Sequence, residues 1–199
     1  MEVNPYLTPQ QRKILEHARI GVAGLGGLGS NVICHLVRAG IRRFTAADFD
    51  VVSASNLNRQ FFFADQIGMK KTEALAENLR RISHRVELDF HDLKLTEENL
   101  PDFFRDCDIV VEAFDKAEAK TMLIGALADS GIPLVAASGL AGFGKSNDIR
   151  LHQVNPRLYI AGDLASGISP ELAPASPRVG IAAAIEANTV IALLLGEKL

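Results

Sequence analysis

Residues Gly24-Leu25-Gly26-Gly27-Leu28-Gly29-Ser30 separate a short apolar run, Arg19–Ala23, from a stretch with helical periodicity that continues to about Ala39. Glycines in the spacing G-x-G-x-x-G between a strand and a helix build the tight turn of a nucleotide-binding β-α unit. Gly24 permits the turn, Gly26 lets the backbone approach a phosphate, and Gly29 lets the helix lie close on the strand, with Gly27 inside the same turn. The N–H groups and positive end of the following helix favour an anion. The turn therefore points to a nucleotide and is silent on the chemistry. The plainer alternative is a strand-to-helix turn that holds no ligand.

The remaining pattern repeats this unit. In the first helix Leu28, Val32 and Leu36 recur every four residues beside Ile33 and Val37, and Gly40 is placed as a left-handed cap. Further strands are predicted over residues 43–48, 86–90, 109–113 and Leu134–Ala137, with helices over 70–82, 96–104 and 116–130 between them. Thr96 reads as the N-cap of the second of these helices. Apolar runs alternating with helical periodicity build parallel β/α units. The expected fold is α/β: a Rossmann-like, mostly parallel twisted sheet with helices on both faces. Residues 149–152 and 158–160 read as strands of an antiparallel extension near the C-terminus, 161–178 as a long loop and 181–195 as an apolar helix. Loops of that length in compact domains are usually functional or disordered. At 199 residues, without repeats or low-complexity tracts, one domain over 1–199 is expected.

Composition narrows the partners. The chain is 48% hydrophobic and 23% charged, as ordinary globular proteins are. A net charge of −3 offers no footprint for a long nucleic acid, and Arg38, Arg42 and Arg43 read as a solvated helix end. No uninterrupted apolar run approaches the ~20 residues of a membrane span. The polar start MEVNPYLTPQQRK lacks the apolar core of a signal peptide, so a cytoplasmic location is expected. Cys34 and Cys107 belong to no CxxC pair and read as buried, inert thiols; two cysteines cannot alone build a tetrahedral zinc site, so no zinc is expected.

Asp48, at the end of the second strand, is placed to hold ribose hydroxyls, and on this basis alone a nicotinamide oxidoreductase would be the default. The polar segment that follows, Asp48-Phe49-Asp50-Val51-Val52-Ser53-Ala54-Ser55-Asn56-Leu57-Asn58-Arg59-Gln60, suits a triphosphate better. Arg59 is a permanently charged planar fork matched to phosphate oxygens, Asn56 gives or accepts a hydrogen bond, and Lys71 adds a compact positive charge. Asp115 follows the fourth strand, at the carboxyl end of the sheet where ligands of open α/β folds lie, and is an oxygen ligand for Mg²⁺ against phosphates. Singly, Arg59 and Lys71 read as solvated charges and Asp115 as a helix cap; their joint placement at one edge favours a site.

The motifs GLGGLGS and DFDVVSASNLNRQ, the run Ile67-Gly68-Met69-Lys70-Lys71 and the strand-four aspartate resemble the ThiF/MoeB/HesA family, adenylyltransferases related to ubiquitin-activating enzymes. The resemblance covers residues 21–137 and returns in Pro177-Arg178-Val179-Gly180. It implies that Gly24, Gly26, Gly27, Gly29, Asp48 and Asp50 hold ATP, with Asp48 at the ribose. It further implies that Asn56, Arg59 and Lys71 meet the phosphates, and Asp115 the magnesium; Lys71 matches by its spacing from Gly68, with Lys70 adjacent. Arg59, Lys71 and Asp115 are then the catalytic residues. The implied reaction joins the C-terminal Gly-Gly carboxylate of a ubiquitin-like sulfur-carrier protein to AMP and releases pyrophosphate. The compact layout is similar to the zinc-free ThiF type of thiamin biosynthesis, whose carrier is ThiS-like. No cysteine follows Cys107, so the zinc-binding CxxC pairs and the downstream covalent cysteine of many relatives have no counterpart, and a separate sulfur donor protein is expected. A homodimer is implied, with Arg12 the candidate to reach across it. Three rivals stand beside this reading: a tRNA-modifying dehydratase of the same family, a nicotinamide oxidoreductase, and a non-catalytic half of a heterodimeric activating enzyme.

Overall fold

The computed structural model describes residues 6–167 and 172–199. Their strands are β1 (Arg19–Ala23), β2 (Arg43–Ala47), β3 (Glu87–His91), β4 (Ile109–Glu112), β5 (Leu134–Ala137), β6 (Arg150–Asn155) and β7 (Leu158–Gly162). They form one sheet in the order β3-β2-β1-β4-β5-β7-β6, parallel throughout except for the antiparallel β6–β7 pair. The helices are α1 (Pro9–His17), α2 (Gly27–Ala39), α3 (Lys71–Ile82), α4 (Leu100–Phe104), α5 (Ala117–Ala126) and α6 (Ser176–Leu195).

Every residue of β4 and β5 is buried, as strands covered on both faces require. Ile109 and Val111 of β4 join one core with Val32, Leu36, Ala183 and Val190 from α2 and α6. Val110 joins a second core with Leu100, Phe104, Leu123 and Leu127 on the opposite face. The chain runs outward from β1 through β2 to β3 and then returns to β4 on the other side of β1. The carboxyl ends of β1 and β4 therefore flank the point where strand order reverses, the crevice in which open α/β sheets bind ligands.

Several boundaries differ from the sequence expectation, each for a local reason. The helix expected from residue 96 begins at Leu100, because Thr96 N–H donates to Asn99 Oδ1 at 2.8 Å and residues 96–99 close as a turn. α5 stops at Ala126, where Leu127 leaves helical geometry. α6 starts at Ser176, one and a half turns before residue 181, because Pro177 is well suited to a first helical turn. α1 was not anticipated, although its signals are present: Thr8 and Gln11 form a reciprocal capping box with a proline in the first turn.

The extension makes α6 20 residues long and apolar enough to cross a membrane by length and composition, but half of it is buried within the fold. It packs along α2 and over β5 and β7. It carries one acidic residue, Glu186, which is fully buried and whose two carboxylate oxygens have no hydrogen-bond partner among the described residues. Burial pushes this carboxyl well above its ordinary range, nearby Glu112 pushes in the same direction, and Lys120 opposes them. The folded chain thus keeps a proton at Glu186 that the unfolded chain releases above about pH 4.3. Stability falls as pH rises from there towards the folded-state value, by up to roughly 1.4 kcal/mol per pH unit for one group. Glu186→Met is expected to raise stability at neutral pH by about 1–3 kcal/mol, the usual penalty of a buried unsatisfied polar group. It also flattens the alkaline fall, as measured by denaturant unfolding of both proteins between pH 5 and 9.

Candidate nucleotide site

Leu25 anchors the glycine-rich turn: its side chain is completely buried, a contribution of about 1.5–3 kcal/mol for a leucine. Its backbone N–H meanwhile points at Asp48, donating to Oδ2 at 2.7 Å. Gly24 takes a left-handed φ of +96° to make the turn. At Gly29 a β-carbon would lie 1.9 Å from the Gly24 carbonyl oxygen, so the start of α2 touches the end of β1 backbone to backbone. Beside Gly26 the nearest atom to such a carbon is Gln60 Nε2 at 3.8 Å, which leaves the turn open for a phosphate.

The loop after β2 is tied down over this turn. Ser30 Oγ donates to Gly26 O at 2.6 Å and accepts from Phe61 N–H at 3.0 Å. Asn31 Nδ2 bridges the carbonyls of Gly27 and Arg59 at 2.6 and 2.9 Å. The Arg59 stem consequently lies on Gly27, its Cγ 3.4 Å from where a β-carbon would be. Its guanidinium donates to Ser55 O at 3.2 Å and Asn58 Oδ1 at 2.7 Å. Asn56 accepts from Ser53 N–H at 3.0 Å and shapes the short 3₁₀ turn Ala54–Asn56. Gln60 Oε1 is buried beside this turn without a partner among the described residues.

Asp48, Asp50 and Lys71 form the second part of the site. Asp48 Oδ1 accepts from Asp50 N–H at 2.9 Å. Lys71 Nζ lies 2.6 Å from Asp50 Oδ2 and 3.7 Å from Asp48 Oδ2. Burial pushes the Asp48 carboxyl up, while Lys71 and the N–H groups of Asp50 and Leu25 oppose that push. The two lysines of the Lys70-Lys71 pair face different ways: Lys71 is buried against these carboxylates, and Lys70 is exposed and pairs with Asp92 at 2.8 Å.

Asp115 projects from the carboxyl end of β4, exposed and without a hydrogen bond or ion pair among the described residues. The turn that presents it is shaped by Glu112, whose completely buried carboxylate accepts from Phe114 N–H at 2.7 Å and from Lys120 Nζ at 2.9 Å. Burial raises the Glu112 carboxyl, and Lys120 and the Phe114 N–H pull it back. Among the described residues no group of three His, Cys, Asp or Glu side chains is arranged to hold a metal ion. A lone hard oxygen such as Asp115 suits magnesium that takes its other ligands from phosphates and water. Cys34 and Cys107 are both buried, and burial pushes the Cys107 thiol up to about 11.

The ThiF family model matches residues 2–198. The chain belongs to the ThiF family. Among curated members, it is 30% identical over 92% of its length to the adenylyltransferase and sulfurtransferase UBA4 of Kluyveromyces lactis, covering 42% of that protein. It is 32% identical over 66% of its length to the sulfur carrier protein adenylyltransferase of Thermus thermophilus, covering 49%. It is 33% identical over 68% to the tRNA threonylcarbamoyladenosine dehydratase of Haemophilus influenzae, covering 52%. The chain thus spans about half or less of the length of these relatives. Its fold is that of the Escherichia coli tRNA threonylcarbamoyladenosine dehydratase solved with ATP (TM-score 0.86, 22% identity, 94% of this chain and 90% of that one). MccB from Escherichia coli, also solved with ATP, is less similar in fold (TM-score 0.72, 22% identity, 92% and 58% covered).

The structure thus brings Gly24, Gly26, Gly27, Gly29, Asp48, Asp50, Arg59 and Lys71 around one turn, and holds Asp115 on the neighbouring strand end. Arg12 lies on α1, which packs against α6. Glu112, Lys120 and Asn31 escaped the sequence reading, and Ser30 and Gln60 stood in its motifs without a role. Glu112 was disguised as the end of an apolar strand, although a lone carboxylate after three consecutive aliphatics is itself a signal.

Proposed function

We propose that this chain is an adenylyltransferase that uses MgATP to activate the C-terminal Gly-Gly carboxylate of a ubiquitin-like sulfur-carrier protein. The observation that carries the reading is the stacking of Arg59 on Gly27 while Asp48 is clamped by Leu25 N–H of the same turn. One rigid loop thereby sets a ribose acceptor and a phosphate cation on either side of the glycines. The resemblance to the sulfur carrier protein adenylyltransferase of Thermus thermophilus supports the carrier as substrate. The thiamin pathway and a ThiS-like carrier are the finer form of this reading. A separate sulfur donor protein, one catalytic domain and a cytoplasmic location complete it.

A carboxylate is already a nucleophile, so the reaction needs alignment and charge stabilisation more than proton transfer. A carboxylate oxygen of the acceptor bonds to the α-phosphorus as the bond to the bridging oxygen of pyrophosphate breaks, which gives acyl-AMP and pyrophosphate. Asp48 accepts a ribose hydroxyl through the lone pairs its N–H donors leave free. Arg59 and Asn56 bind the phosphate oxygens, and Lys71 adds its charge from between Asp48 and Asp50. A magnesium ion held by Asp115 and the phosphates would neutralise the charge that builds on the leaving pyrophosphate.

The test is ATP–pyrophosphate exchange with a panel of proteins ending in Gly-Gly, beside a tRNA arm. Arg59→Ala and Asp115→Ala are each expected to lower carrier-dependent exchange at least about 100-fold, the scale of losing one transition-state contact. Their melting curves should match wild type; near-normal exchange in both variants overturns the reading.

A second reading, ATP-dependent dehydration of a tRNA base, is favoured by the Haemophilus relative. It predicts exchange that follows tRNA instead of the carriers and weakens steeply with salt. A homodimer belongs to the proposal as well. The outward stripe of α6, with Ile181, Ile185 and Leu195, is apolar and partly exposed, which suits a partner copy.

A further inference from the structure

The motif Pro177-Arg178-Val179-Gly180 has no role in the site described so far. Its first hydrophobic residue touches that site: Val179 Cγ1 lies 3.3 Å from the position of a β-carbon on Gly27, against the glycine-rich turn beside Arg59. Arg178, one residue earlier, points the other way and is 3% exposed. Its Nη2 donates to Asp163 Oδ2 at 2.6 Å, and its Nη1 to the carbonyls of Gly144 and Lys145 at 2.9 and 3.3 Å.

These contacts join two loops. Residues 138–148 follow β5 and residues 163–167 follow β7, its parallel neighbour, so both loops leave the sheet at its carboxyl edge. Asp163 Oδ1 accepts from Ala165 N–H and Ser166 N–H at 2.9 and 2.8 Å. It also occupies the space of any β-carbon at Gly139, 2.0 Å away. Burial pushes the Asp163 carboxyl up, but the Ser166 and Ala165 donors and Arg178 outweigh it and bring it down to about 2. Among the described residues two non-glycines have positive φ, Lys145 at 46° and Leu164 at 58°. One lends its carbonyl to Arg178 and the other follows Asp163. Such backbone persists where surrounding contacts over-determine it, and it clusters at functional sites.

Sheet order fixes what these loops face. Asp48 and the glycine turn lie at the ends of β2 and β1, Asp115 at β4, and the joined loops next along the same edge at β5 and β7. If the nucleotide fills the crevice between β1 and β4, an acceptor carboxylate must come in along the β5–β7 side. The wall there is rich in glycine: Gly139, Gly142 and Gly144 all have positive φ, and Ala141 N–H is held by Ser166 Oγ at 3.2 Å. Such a wall suits a narrow, extended peptide end.

We infer that the Arg178–Asp163 pair is a positioning latch that holds the two loops as the acceptor wall, braced through Val179 against the nucleotide turn. This deepens the adenylylation reading and rests on it. The pair touches neither ATP nor the reacting atoms, so its loss should act on the acceptor and spare the nucleotide.

The experiment measures pyrophosphate exchange with the Gly-Gly-ending protein that supports it best in wild type, in Asp163→Asn, Arg178→Met and Arg178→Lys. Acceptor KM is expected to rise at least tenfold in the first two, with the KM for ATP within threefold of wild type. Arg178→Lys, which keeps the charge on Asp163 and loses the fork to the carbonyls, should recover part of the loss. If Arg178→Met does not fold, Asp163→Asn, which keeps the shape of the side chain, decides alone. An unchanged acceptor KM, or a parallel rise in both KM values, overturns the latch while the adenylylation reading stands. A wild type that is silent with every Gly-Gly acceptor instead fails that reading, and the latch with it.

Discussion

Gly29→Ala is expected to leave little folded protein, whereas Gly180→Ala should fold at least as well as wild type. The difference lies in what the added methyl meets. At Gly29 it would sit 1.9 Å from the Gly24 carbonyl oxygen, 3.0 Å from the Gly24 carbonyl carbon and 3.1 Å from Val22 Cγ1. The offending atoms are backbone of the glycine turn, which is fixed by the buried Leu25 and by Gly24 N–H on Ala47 O at 3.0 Å. No rotamer change relieves that overlap, so α2 must lift from β1 and open the core beneath Leu28, Val32 and Leu36. Overpacking alone commonly costs about 1–3 kcal/mol. A backbone clash that displaces a central helix should exceed about 4 kcal/mol, much of a small domain's stability. Gly180 lies inside α6 with nothing within 4 Å of its β-carbon position. Alanine there gains about 0.5–1 kcal/mol from helix propensity. Urea unfolding of the two variants beside wild type checks both; a Gly29→Ala protein as stable as wild type would refute the close approach.

The close approach at Gly29 was readable from spacing alone, because the glycine pattern encodes a backbone contact that any side chain prevents. The parallel sheet was readable for a similar reason: β4 and β5 announce themselves as short, uniformly apolar runs that only a doubly covered sheet can bury. Arg59 and Asp48 could be placed because residues near the glycines in sequence stay near them in space. Arg178 and Asp163 lie more than a hundred residues from the turn, and their pairing comes from the start of α6 folding back onto the end of β7, which no local pattern carries. Glu186 was passed over inside an apolar helix, and its burial follows from α6 lying inward against α2. Helix starts were misjudged where a turn of non-helical appearance, Ser176-Pro177-Arg178, is in fact the first turn.

Lys71→Met should lower acceptor-dependent exchange by about 100-fold or more, while Lys70→Met should leave it within twofold of wild type. The sequence places the two lysines side by side, and the fold separates them. Among the described residues Lys71 is the single cation against Asp48 and Asp50, at 3.7 and 2.6 Å; Lys70 serves Asp92 at the surface. Methionine fills the space of the lysine stem and removes the charge, so Asp48, whose side chain is 8% exposed, is left with its backbone donors alone. Breaking a fully buried pair typically costs about 3–5 kcal/mol. The cost here should be smaller, because the Asp50 side chain is 54% exposed and relaxes into water. Burial already raises the Asp48 carboxyl and Lys71 opposes it, so the variant's carboxyl rises further and protonates at higher pH. ATP binding that needs an ionised Asp48 at the ribose must then weaken on acidification at a higher pH in Lys71→Met than in wild type. Titration of a fluorescent ATP analogue between pH 5 and 9 reads this displacement directly. A Lys71 that acted on phosphate alone would lower affinity by the same factor at every pH and leave the profile in place. Loss of exchange in Lys70→Met with normal exchange in Lys71→Met would reverse the assignment of the two lysines.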